Sequence, residues 1–390
     1  MPSDRMLQIG SFFAALYAVY LYTQLSPSDF PFAMAFWALT LLAALVTIRS
    51  SIIIIIFIVG VLTSLSYVLG YALNMSRDVS LFYFPQILTM CIGSAWTVGI
   101  LMGNNRFNLS QQFHTWVHRV FIIVSLIWTI LSIRTINAGL IVDSREVTGF
   151  SYLTTSDLFA MFGIASLSRN KIGKLEFSII LMVTLLTVTI LGSRSSIILL
   201  FAISIIVFLR QFDLKSSIIP FVIILPSALY AITNYIDFQS SAFYRLQTLI
   251  NFGSDGSLSS RRELFASTFD RIDSNPFCLI VSCHAPEGAY AHNFISLIEH
   301  FGFIGLLLFA STFFAVSIRW RQIIRSDFFP LFLYATISII ITRAWVSPVF
   351  WVYLGIALFV ILHRNSTNRR TMPCVATSFE RAPKAVQMKS

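Results

Sequence analysis

Residues 51–73, SIIIIIFIVGVLTSLSYVLGYAL, run for 23 positions without one charged side chain. About 20 apolar residues wound as a helix, rising 1.5 Å each, reach across roughly 30 Å of hydrocarbon. Runs of this kind recur along the whole chain. They lie at about 7–25, 30–48, 51–73, 81–102, 118–137, 151–168, 175–192, 196–209, 217–236, 291–318, 328–345 and 347–362, and predict about twelve membrane-spanning helices. With 56% of residues hydrophobic and only 11% charged, a soluble fold could not bury this much apolar surface. A spanning β-barrel would need segments of about ten residues with alternating polarity, and the sequence has none of that character. The reading is therefore an all-α, polytopic transmembrane protein. The first run follows MPSDRM and is long enough to be a span, so no cleaved leader is expected.

Orientation follows from where the cations fall. With the N-terminus in the cytoplasm, 18 of the 27 Lys and Arg residues lie on the cytoplasmic side, which places both termini inside. The net charge of +10 is then a matter of topology, and no basic–aromatic patch calls for a nucleic acid. Residues 1–365 read as one transmembrane domain and 366–390 as a basic cytoplasmic tail without fixed structure. The one large extracytoplasmic loop, about 237–290, is polar, and a shorter outer loop covers 138–150. Within the large loop, Phe265, Phe269 and Ile272 recur at helical spacing, predicting an amphipathic helix over 260–272 that DSNPF ends. Cys278 and Cys283 share this loop, where a disulfide is permitted; four residues between them exclude a haem-attachment motif. No internal repeat of the inverted-transporter kind is visible.

Charge placement carries the functional signal. Arg194 follows Ser193, an N-cap residue, in a tight outer turn. Ser260 and Glu263 have capping-box spacing, which makes Arg261 and Arg262 the first helical residues. His292 and Asn293 open the span at 291–318 on the same side. A helix N-terminus favours anions, so arginines there make sense where an anion completes the site; phosphate or diphosphate fits amide groups and guanidinium forks. Each position also has a plain reading: Arg194 snorkelling to the headgroups, Arg261 and Arg262 on a wet helix face, Asn293 as a cap, His292 as an interface histidine. Glu299 is harder to set aside, because a carboxylate within a span marks a functional group or a buried pair. His292 and Glu299, two turns apart, would share a face. Gly302 and Gly305 would let another helix approach, Asp157 would cap the sixth span, and His300 has no assigned role.

In order, these motifs are Ser193-Arg194, Arg261 with Leu264 and Phe265, Asn275-Pro276, and His292-Asn293 continuing through Glu299 to Gly302 and Gly305. The set resembles the O-antigen ligase and Wzy-type polysaccharide polymerase superfamily of bacterial inner-membrane proteins. The motif-bearing part covers roughly 190–310. It departs from the family in having Phe265 where Trp is frequent, and FCLIVSCHAPEG where a Gly-x-Gly turn usually follows Asn-Pro. The resemblance implies transfer of a glycan from an undecaprenyl-diphosphate carrier to an acceptor sugar hydroxyl. Arg194, Arg261 and Arg262 would then hold the diphosphate, His292 would be the base with Glu299 as catalytic partner or orienter, and Ser193 and Asn293 would support them. It further implies an acceptor glycan or glycolipid, and a flippase and chain-length regulator as companions in the inner membrane. No Asp-x-Asp motif occurs in the outer loops, so no metal or cofactor is expected.

Two outcomes remain open within the family: a polymerase joining repeat units of an exopolysaccharide, capsule or O-antigen, and a ligase loading lipid A core. A different class, a twelve-span transporter or glycolipid flippase, would place its polar residues near mid-membrane on broken helices, and Pro220 and Pro226 interrupt the ninth span.

Overall fold

A computed structural model describes residues 5–25, 50–74, 83–103, 109–137, 152–170, 172–212, 256–282 and 293–370. Among these the chain is entirely helical. The α-helices are α1 (Arg5–Leu25), α2 (Ser50–Asn74), α3 (Tyr83–Leu101), α4 (Gln111–Asn137), α5 (Tyr152–Leu167), α6 (Lys174–Ile190) and α7 (Arg194–Gln211). After these come α8 (Gly256–Ser274), a 3₁₀ turn (Pro276–Leu279), α9 (Ile295–Ile318), α10 (Trp320–Ile324), α11 (Phe329–Ile341) and α12 (Pro348–Arg370). Ten of the twelve expected spans coincide with helices to within several residues. The other two, 30–48 and 217–236 with Pro220 and Pro226, lie outside the described residues, as do the 138–150 loop and residues 371–390. Helix α12 continues to Arg370, past the boundary drawn at residue 365.

Three of the described helical stretches, Gln111–Leu131, Arg194–Gln211 and Ile295–Ile318, are by length and composition long and apolar enough to cross a membrane, although the third is broken at Gly302. Large apolar side chains also stand on the outside of the described helices. Helix α2 turns Ile54, Phe57, Ile58, Leu65 and Leu73 outward, with Phe57 69% exposed, and α4 does the same with Ile123, Val124 and Ile127. Continuous apolar surface of this kind is stable against lipid and unstable against water.

The interior, by contrast, holds hydroxyls and charges. Thr184 and Thr187 of α6 return their hydroxyls to the carbonyls of Ile180 and Val183, at 2.6 and 2.9 Å, so each polar group is satisfied within its own helix. Thr187 also meets Thr129 of α4 at 2.8 Å. Ser94 of α3 lies 3.0 Å from the Trp351 carbonyl of α12. A Cβ at Gly93 would fall 2.4 Å from the Trp351 ring, so this crossing needs glycine.

Polar contacts define the two ends of the bundle. At one end Arg169, just after α5, pairs with Glu176 at the start of α6, and Arg119 lies 3.6 Å from the same carboxylate. Gln211, at the close of α7, donates to the Leu167 carbonyl at 2.8 Å, and Arg210 to the Ser326 carbonyl at 3.1 Å. The opposite end gathers the starts of α5, α7 and α12 and the ends of α6 and α11.

Candidate functional site

Asp157, in the second turn of α5, is fully buried at that opposite end. Its carboxylate is ion-paired with Arg343, which follows α11 and is itself 4% exposed. Arg343 Nη2 donates to Asp157 Oδ1 at 3.0 Å, and the same oxygen accepts from Ser196 Oγ at 2.7 Å and Tyr334 Oη at 2.7 Å. Arg343 Nη2 also lies 3.0 Å from both Ser193 Oγ and Ser196 Oγ, which are 2.6 Å apart. A buried pair held by this many bonds meets the requirement for keeping two charges out of water. The sequence expectation for Asp157 is corrected: it caps nothing and forms half of a buried ion pair.

Arg194 is the first residue of α7, as expected, and is partly exposed. Ser193 occupies the N-cap position, but its hydroxyl makes no capping bond to the helix backbone. It is committed instead to Ser196 and Arg343.

Glu299 is also fully buried. Its Oε1 is ion-paired with Arg271 of α8 and accepts from Thr268 Oγ1 at 3.3 Å. The in-span carboxylate is thus one half of an ion pair whose other half, Arg271, is partly exposed. Cys278 is disulfide-bonded, and the cysteine of α3, Cys91, is free and buried. Cys283 lies outside the described residues.

Helix α9 is not straight. Gly302 has φ +51° and ψ −137°, a break between two helical segments. A Cβ on Gly305 would meet the Leu297 carbonyl oxygen at 2.2 Å, although residues eight apart in a straight helix are about 12 Å apart. The rings of Phe294 and Phe309 stack at 5.1 Å across the same fold. Residues 295–301 therefore turn back along 303–309, and Asn293 and Phe294 sit beside Phe309 rather than at the end of an unbroken span. Asn293 starts the short segment, its Oδ1 accepting from the Ile295 amide at 3.0 Å.

The break is filled by the chain just after the 3₁₀ turn. Ile280 O accepts from the Phe303 amide at 3.4 Å, and a Cβ at Gly302 would lie 2.7 Å from the Ile280–Val281 backbone. Ser66 Oγ of α2 lies 2.7 Å from the carbonyls of both Val281 and Phe301. The two glycines thus serve a fold-back and a loop insertion, and the expected approach of another helix is corrected. His300 is fully buried, with Nδ1 2.9 Å from the Ser296 carbonyl and its ring 5.5 Å from that of Trp345.

Helix α8 begins at Gly256, four residues before Ser260. The capping-box expectation is thereby overturned. Arg261 and Arg262 stand in the second turn, and Arg262 is exposed. His292 lies outside the described residues. The turn that opens with Arg194 and the segment that opens with Asn293 are joined at one end of the bundle through residues 343–345, and α8, which bears Arg261 and Arg262, is tied to that segment through Arg271 and Glu299. Arg271, Arg343 and Tyr334 were not foreseen. Arg343, in the RAWVSP stretch between two apolar runs, was the detectable signal, because an arginine there needs an acidic partner.

No protein-family model matches the chain, and no characterised protein or solved structure matches it significantly.

Proposed function

We propose that the chain is a twelve-span bacterial inner-membrane protein with both termini cytoplasmic, and that it transfers a glycan from an undecaprenyl-diphosphate carrier to an acceptor sugar. The observation that carries this reading is the chain of contacts described above, in which the turn of Arg194 is linked through Arg343 and Trp345 to the Asn293 segment, and that segment through Glu299 to the arginine-bearing loop helix. The disulfide at Cys278 agrees with an extracytoplasmic loop, since such bonds persist in oxidising compartments.

In the reaction, the acceptor hydroxyl attacks the anomeric carbon, a new C–O bond forms, and the bond from that carbon to the diphosphate oxygen breaks. His292 takes the hydroxyl proton. The departing lipid diphosphate gathers negative charge, which Arg194 and Arg261 stabilise by bidentate contacts, with Arg262 near the water. Glu299 holds the loop helix through Arg271. Polymerisation of repeat units is the preferred outcome, and ligation to lipid A core the alternative.

The test is transfer by the purified protein in lipid, using a lipid-diphosphate-linked oligosaccharide. Arg194→Ala, Arg261→Ala and His292→Ala should each abolish most product; full activity in all three would refute the reading. A ladder of lengths denotes a polymerase, a single addition a ligase.

One observation favours a transporter: α9 is broken at Gly302, and discontinuous helices are how transporters build substrate sites. Movement of the lipid-linked glycan across proteoliposomes with no new glycosidic bond would establish that alternative.

A further inference from the structure

Arg343 stands two residues before Trp345, and each end of this short connector grips a different part of the site. At one end the Arg343 guanidinium binds Ser193 Oγ and Ser196 Oγ, the hydroxyls that bracket Arg194 in the first turn of α7. At the other, the Trp345 amide donates to Ser296 Oγ at 3.1 Å, and the Trp345 ring packs against Phe301 at 4.7 Å. Ser296 belongs to the segment that Asn293 opens. We propose that Arg343 is a positioning residue. Anchored by Asp157, which Tyr334 also holds, it fixes the turn presenting Arg194 and, through Trp345, sets that turn relative to the Asn293 segment. The proposal rests on the transfer reading given above.

Its chemistry is that of preorganisation. Arg343 is charge-neutralised by Asp157 and buried, so its task is to orient the arginine that meets the diphosphate. Oriented donors need no rearrangement as charge develops, and a misplacement of about 1 Å costs roughly a hundredfold in rate.

The experiment uses the full chain in lipid nanodiscs. Ser193→Ala/Ser196→Ala removes the two hydroxyls while the Asp157–Arg343 ion pair and the Tyr334 bond to Asp157 remain, so each buried charge keeps its counter-charge. Expected results are a fall in kcat of roughly tenfold or more, a thermal midpoint lowered by less than in Arg343→Met because the ion pair survives, and recovery of both in Ser193→Thr/Ser196→Thr. In an Arg194→Ala background the same pair should have no further effect, because it acts through that arginine. Full kcat in the alanine pair, or an equal fold-loss in the Arg194→Ala background, would overturn the proposal. Hydrogen exchange over 191–197 reads the positioning without reference to activity: exchange should quicken in the alanine pair, and unchanged exchange overturns the proposal even if no transfer is detected. Quickened exchange with transfer indifferent to Arg194→Ala would leave the positioning intact and refute the transfer reading.

Discussion

At the scale of single residues, stability depends on Asp157 and Arg343 remaining together. Each charge is buried, and each is tolerated because the other neutralises it and Ser196 and Tyr334 complete the bonding. Removing one partner of such a pair costs about 3–5 kcal/mol, whereas replacing both with apolar groups is often neutral. Arg343→Met should therefore lower the thermal midpoint in detergent sharply, and Asp157→Leu/Arg343→Met should regain most of the loss. A double variant no more stable than Arg343→Met would show that the pair is not the source of the effect.

At the scale of elements, α9 and α8 depend on one another. The fold-back at Gly302 opens a gap in the helical ladder, and the Ile280–Val281 backbone fills it because glycine has no Cβ to obstruct the approach. Gly302→Ala adds a side chain where both backbone conformation and space exclude it, so destabilisation of roughly 1–3 kcal/mol from the conformation alone is expected, read by thermal unfolding. The Arg271–Glu299 pair pins α8 to the folded-back segment. Glu299→Gln should weaken that docking and speed tryptic cleavage at the exposed Arg262, while the bundle helices keep their protection. Unchanged cleavage would mean that packing alone holds α8.

At the scale of the whole molecule, the carboxylates of Asp157 and Glu299 are buried and ion-paired at one end of the bundle, and the cluster of Arg119, Arg169 and Glu176 marks the other, where Arg119 and Glu176 reach the surface. Among the described basic residues assigned to the cytoplasm by charge counting, Arg119, Arg169 and Arg210 lie at that second end. Orientation is tested with a membrane-impermeant maleimide on intact cells. A cysteine placed at the exposed Asp270 should label directly, and one at Arg325 only after lysis; the reverse pattern would invert the topology.

The helices were legible because the rule that a membrane span obeys is local. A segment in hydrocarbon must satisfy its own backbone and present apolar side chains, so each run can be read without its neighbours. The position of Arg194 at the start of α7 and of Asn293 at its helix start are local in the same sense. Buried charges obey a different rule. Asp157 and Arg343 are 186 residues apart, and nothing near Asp157 distinguishes a cap from half of an ion pair. The capping signal at Ser260 failed because residues 256–259 continue the helix upstream, and the glycines at 302 and 305 could equally have lined a straight helix. Only the folded chain decided that α9 turns back on itself and that Glu299 faces Arg271, because a buried charge takes the partner that tertiary packing brings to it.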